Sequence, residues 1–124
     1  MAEIGRVKLS IFTWKKARLN RVILQVLSEH GPLTPYELVK RIRAVRGFRH
    51  TRYSVVNRRV RALEEEGFLE VVRVKEAQKA PQRSFVYRLT LRAHLAIVLD
   101  KIDLDRFLRV ADEDKISVLL EVLS

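Results

Sequence analysis

Four arginines, Arg52, Arg58, Arg59 and Arg61, fall within ten residues that contain no acid. That is the chemistry of anion recognition. Arginine forks onto the O6 and N7 of guanine, asparagine pairs with adenine, serine with either, and a small apolar side chain meets the thymine methyl. At 100° per residue, Tyr53, Val56, Val60 and Leu63 fall within about 60° of one direction, which predicts a buried stripe on a helix. Ser54, Arg58 and Arg61 then point away from it, with Val55 and Asn57 on the flanks. Ser54, Val55, Asn57, Arg58 and Arg61 are therefore the expected base-reading residues. Arg52 and Arg59, nearer the shoulders, suit phosphate contacts. The acids of this helix, Glu64, Glu65 and Glu66, come only at its end. The macrodipole favours the opposite arrangement, unless the helix start faces an external anion.

Other chemistries are poorly provided for. Glu64-Glu65-Glu66 and Asp112-Glu113-Asp114 are carboxylate clusters, but consecutive helical residues diverge and do not converge on one cation. The chain has no cysteine, and His30, His50 and His94 are scattered. No serine, threonine or lysine has an evident His-and-acid partner, and the four glycines stand apart, so no phosphate-cradling loop exists. We expect no catalytic residue, no metal and no cofactor.

The elements that must position the arginine helix can be read in turn. Arg6 to Phe12 alternates apolar and polar residues, as a strand or an arm. Thr13 is placed to cap a helix from Trp14 to Glu29, with Leu19, Val22, Ile23, Val26 and Leu27 at helical spacing and Gly31-Pro32 to end it. Thr34-Pro35-Tyr36-Glu37 is a capping box with proline at the first helical position. The second helix that follows carries Leu38, Ile42 and Val45 on one face and Lys40 and Arg43 on the other, with Gly47 as its stop. After Phe48-Arg49-His50, Thr51 offers an N-cap for the third helix, which runs to Glu66 and Gly67.

The period then changes from 3.6 to 2. Phe68 to Val74 and Ser84 to Leu89 predict two strands, joined by a polar, basic tip from Lys75 to Arg83 whose Pro81 no central strand tolerates. Thr90 can cap a further helix to about Ile102, with Leu91, Leu95, Val98 and Leu99 on one side. Asp103 to Ser124 predicts one or two short helices broken near residues 111–114.

Length and charge agree with this layout. A chain of 124 residues is large enough for one cored domain without staples. Its net charge is +10, with a pI near 10.5, a common footprint of nucleic-acid binding. The excess is front-loaded. Residues 1–63 hold 15 Lys and Arg against three acids, a net +12; residues 64–92 hold +1, and residues 93–124 hold −3. No apolar run is long enough for a membrane span, and no signal peptide is evident, so a cytoplasmic location is expected. Few Asn and Gln, one Met and many Arg and Val point to a thermophilic source.

Three helices followed by a β-hairpin is the order of a winged helix-turn-helix domain. The expected class is α+β, mostly α. The segment Val56-Asn57-Arg58-Arg59-Val60-Arg61-Ala62-Leu63-Glu64-Glu65-Glu66-Gly67-Phe68-Leu69 resembles the recognition helix and first wing strand of winged-helix transcription regulators. Phe85-Val86-Tyr87-Arg88-Leu89-Thr90 is similar to the strand that closes the wing in PadR-like regulators, and Gly31 to Leu38 resembles the start of their second helix. The likeness spans about residues 17–100, and MarR-like and other archaeal-type regulators share much of it. The N-terminal arm and the helices after residue 103 depart from the PadR-like pattern.

The resemblance implies a dimeric regulator of transcription, repressor before activator. Its third helix would enter the major groove of double-stranded DNA, and its wing would touch minor groove or backbone through Lys75, Lys79 and Arg83. Lys40, Arg43 and Arg49 join Arg52 and Arg59 as expected backbone contacts; Lys15, Lys16 and Arg18 are further basic residues within reach of phosphate. Specific sites are usually read by two-fold pairs. The C-terminal segment carries surplus apolar surface for pairing: Leu95, Val98, Leu99, Phe107, Leu108, Leu119, Leu120 and Leu123. The expected division is an arm (1–12), a DNA-binding domain (13–90) and a helical dimerisation segment (91–124). A nucleic-acid-binding accessory protein without sequence preference, or a winged helix serving as a protein-interaction module, would use the same positive face. No effector ligand is evident.

Overall fold

The computed structural model describes residues 9–13, 15–76 and 83–124. Among them the chain is α+β and mostly helical. A 3-10 turn, Ser10–Phe12, precedes α1 (Ala17–His30), α2 (Pro35–Arg43) and α3 (Tyr53–Glu65). The hairpin β1 (Leu69–Glu76) and β2 (Arg83–Leu89) follows, then α4 (Leu91–Lys101), α5 (Leu104–Val110) and α6 (Glu113–Leu123).

The core is built where the apolar stripes of the first three helices meet. Ile23, Leu24, Leu38, Ile42, Val56, Val60 and Leu63 are at most 1% exposed. Leu69, Tyr87 and Leu89 close it from the hairpin, and Ala93 and Ala96 from α4. Ile11 and Phe12 also belong to it. The described part of the N-terminal segment is thus a buried 3-10 turn and not a strand, because two consecutive apolar side chains must both reach the core.

Local signals held where the capping side chain was free to act. Thr34 accepts from the Glu37 amide (3.1 Å), and Glu37 accepts back from the Thr34 amide (3.0 Å). Thr90 accepts from the Ala93 amide (3.2 Å) while its hydroxyl donates to the Gly67 carbonyl (2.7 Å), so one residue caps α4 and anchors it to the end of α3. Asp103 and Asp112 cap α5 and α6, on either side of the expected break.

Two expected caps fail for a shared reason. The Thr13 hydroxyl donates to the Ser10 carbonyl, and α1 begins at Ala17 with no side-chain cap. The Thr51 hydroxyl donates to the Phe48 carbonyl, and Arg52, extended and without a side-chain cap, precedes α3. Both hydroxyls are committed to the preceding turn. The second helix also stops at Arg43, four residues before Gly47. Gly47 instead takes φ +92° in the link to α3, and Val45 is exposed while Val39 is buried in its place. The backbone there enters a region that L side chains seldom adopt.

β1 and β2 pair antiparallel, Leu69 opposite Leu89 through Glu76 opposite Arg83, with an irregularity between Val71 and Arg73. Lys75 and Arg83 therefore stand in the ladder rather than in the tip. The rest of the tip, Lys79 included, lies outside the described residues. At the base of the hairpin, Leu33 and Tyr87 exchange backbone hydrogen bonds (3.1 and 2.9 Å), which joins the α1–α2 link to β2.

Two charged contacts tie the outer elements down. Arg21 on α1 donates to both carboxylate oxygens of Asp100 on α4 at 3.0 Å, and also to the Phe12 carbonyl. Arg88 donates to Glu70 across the hairpin at 2.6 Å. By contrast α5 and α6 contain no buried residue. On α4 the buried side is Ala93 and Ala96, so Leu91, Leu95 and Val98 face outward. No described helix is long and apolar enough to cross a membrane.

Candidate nucleic-acid interface

α3 sits with Val56, Val60 and Leu63 wholly buried. Its opposite side forms an open cleft of about 490 Å³ lined by Tyr53, Ser54, Asn57, Arg58, Arg61, Ala62 and Glu65. Four of the five expected base-reading residues therefore share one surface. The fifth, Val55, is exposed but is not part of that lining. Ser54, Arg58 and Arg61 are exposed and Asn57 half-buried.

The start of α3 adds to this chemistry. It has no side-chain N-cap and no acid in its first turn. The first amides of a helix lack intrahelical acceptors, so an uncapped start carries partial positive charge suited to an anion. Arg52, the capping residue by position, is exposed beside it.

Arg59 is a correction. Its side chain is only 9% exposed, and its Nε donates to Asn20 Oδ1 at 3.1 Å. It is a partner of α1 and does not share the exposed face that carries Arg58. The reason is its position on the α3 circumference, where α1 and the 3-10 turn cover it. Tyr53 is displaced in the other sense. Expected in the stripe, it is 45% exposed, and its direction, about 60° from Val56, lies at the edge of the apolar arc. It lines the cleft and is a site residue that the apolar pattern concealed.

The other expected backbone contacts divide. Arg49 is exposed. Lys40 is exposed with its Nζ 4.6 Å from the centre of the Tyr36 ring. Arg43 uses its Nε to hold the Thr51 carbonyl at 2.8 Å, so it fixes the link before α3. Arg18 rests on the Phe48 ring at 5.5 Å. Arg46 and Arg73 are exposed basic residues outside the expected set; a helix-end arginine and a strand arginine carry no spacing signal that marks them.

Tyr87 lies close enough to α3 to sense its charges. Burial, and then the Glu64 carboxylate, push its phenol above the ordinary 10.0, with Arg61 opposing. It therefore stays neutral beside the arginine face. The expected pairing residues remain outward: Leu95, Val98, Leu108, Leu119, Leu120 and Leu123 are exposed, while Leu99 and Phe107 are half-buried. Ile102, Phe107, Val118, Leu119 and Val122 line an apolar groove of about 450 Å³. Among the described residues no three His, Cys, Asp or Glu side chains are grouped to hold a metal ion. No protein-family model matches the chain, and no match is found among curated protein sequences.

Proposed function

We propose that this chain is a winged helix-turn-helix regulator of transcription that binds double-stranded DNA at specific sites as a homodimer. One observation carries the reading: Ser54, Asn57, Arg58 and Arg61 share the exposed cleft of α3, whose opposite side is core. An α-helix so presented matches the width of the major groove, and these side chains match base-edge donors and acceptors. The uncapped start of α3 and Arg52 then meet phosphate, while the hairpin reaches the neighbouring backbone or minor groove.

The pairing surface in this reading is the C-terminal segment. α5 and α6 bury none of their own apolar residues, so a second copy supplies what would cover them. Two reading helices related by a two-fold axis then meet half-sites about one helical turn apart.

Selection of bound duplexes from a random pool tests the reading. A palindromic consensus, bound at least about a thousandfold more tightly than random duplex, is the expected result. Uniform binding with a steep salt dependence would mean backbone contact alone. No duplex binding at physiological salt would overturn the assignment in favour of a protein dock.

A further inference from the structure

The link between α2 and α3, residues 44–52, repels itself. It carries Arg46, Arg49 and Arg52, all exposed, and no acid. The path it takes nevertheless sets where α3 begins and how it points.

Two arginines outside the link hold that path. Arg43, the last residue of α2, donates from Nε to the Thr51 carbonyl at 2.8 Å. This carbonyl belongs to the peptide bond entering Arg52, whose extended backbone (φ −89°, ψ 145°) leads into α3. The Arg52 carbonyl then accepts from the Val56 amide at 3.2 Å, at the start of the helix. Arg18 comes from α1. Its guanidinium lies 5.5 Å from the centre of the Phe48 ring, which itself packs against the core. Its Nη2 runs so close to Gly47 that a Cβ there would stand 3.2 Å away. Between the two arginines, Thr51 closes the turn by donating from its amide (3.1 Å) and its hydroxyl (2.8 Å) to the Phe48 carbonyl. The ring that Arg18 covers and the carbonyl that Arg43 holds therefore belong to one hydrogen-bonded turn.

We propose that Arg43 and Arg18 are positioning residues for α3: they clamp the turn from Phe48 to Thr51, and through it the aim of Ser54, Asn57, Arg58 and Arg61, without contributing charge to phosphate. This rests on the reading of α3 as the base-reading helix, and it takes Arg43 out of the phosphate contacts expected of it. Base-edge hydrogen bonds are directional and fail on a small tilt of the helix, whereas attraction to phosphate carries no sequence information and tolerates the tilt. Loss of the clamp therefore falls on specificity and leaves non-specific affinity in place.

Arg43→Gln is the deciding variant. Its amide nitrogen stands the same number of bonds from Cα as arginine Nε, so it keeps a donor for the Thr51 carbonyl and removes the charge. Affinities of the full-length parent and variants are measured on the selected duplex and on a random one over a range of salt. Arg43→Ala and Arg18→Ala should each weaken the selected duplex about tenfold, the size of one misaligned base contact, with the random duplex and the salt slope unchanged. Arg43→Gln should recover most of the Arg43→Ala loss. A salt slope lowered by about 0.9 in Arg43→Ala and Arg43→Gln alike would overturn the proposal in favour of a phosphate contact. Amide exchange of the free chain reads the clamp without DNA. The Val56 and Asn57 amides should exchange several-fold faster in Arg43→Ala and at the parent rate in Arg43→Gln. Unchanged exchange in Arg43→Ala would overturn the clamp as well. A parent chain with no preference between the duplexes would instead refute the function proposed above, and the exchange result alone would then decide the clamp.

Discussion

Arg59 donates from Nε to Asn20 Oδ1 over 3.1 Å, and Asn20 in turn donates from Nδ2 to the Ile11 carbonyl over 2.7 Å. Asn20 is 3% exposed and Arg59 9%. Three elements, the 3-10 turn, α1 and α3, are thereby fastened through one amide side chain. Asn20→Ala leaves a buried guanidinium and a buried carbonyl without partners. The expected loss is about 2–4 kcal/mol, from hydrogen-bond energies to charged groups plus desolvation. Urea unfolding should show the midpoint fall with little change in slope; a loss below about 0.5 kcal/mol, the usual surface range, would sink the assignment.

Arg58→Ala and Arg61→Ala should each relax preference at one base position, by about 1–3 kcal/mol. Arg52→Ala should weaken binding to all sequences alike and lower the salt slope by about one contact. Binding assays on the selected site and on single-base variants, repeated at several salt concentrations, separate the two patterns. Uniform loss in all three variants would remove base readout from α3.

Removal of residues 103–124 should convert a dimer to a monomer and leave the first four helices and the hairpin folded, since α5 and α6 contribute nothing buried. Leu108→Asp and Leu120→Asp, both at exposed positions, should do the same in the full-length chain. Light scattering at low micromolar concentration reads the outcome. A monomer before truncation would end the dimer proposal.

Alkaline stability should depend on Tyr87. Its folded pKa is raised above 10.0 by burial and by Glu64, so the folded state holds this proton more tightly than the unfolded one. Stability from this source is fully present below the unfolded pKa and is lost as pH rises through the folded value. Unfolding midpoints measured above pH 10 should therefore drop steeply in the parent chain and less steeply in Tyr87→Phe. Identical slopes would refute the link.

Much of the helical order was legible because it is local. The reciprocal Thr34–Glu37 bonds and the Asp112 cap involve residues three apart and form within a single helix start. Thr13 and Thr51 have the right type and position, but the path of the preceding turn claims their hydroxyls. That Ser54, Asn57, Arg58 and Arg61 share one face of α3, opposite the core, was legible from the direction of the apolar stripe alone. The burial of Arg59 was not: its direction, about 60° from Val56, puts it beside the apolar arc, where an arginine can turn outward to phosphate or inward to a partner. Its burial is decided by Asn20, 39 positions away. Tyr53 was misplaced because an apolar arc has no sharp edge.

The bridge between Leu33 and Tyr87 has a kinetic meaning as well. It closes a loop that contains α2, α3 and β1, and its two ends meet only after that whole stretch has been gathered. Closing so long a loop is entropically slow and is rewarded only late. The β1–β2 ladder is local and needs no such closure, so the Leu33–Tyr87 bonds are what couple the hairpin to the helices, and separating the two means giving up those bonds.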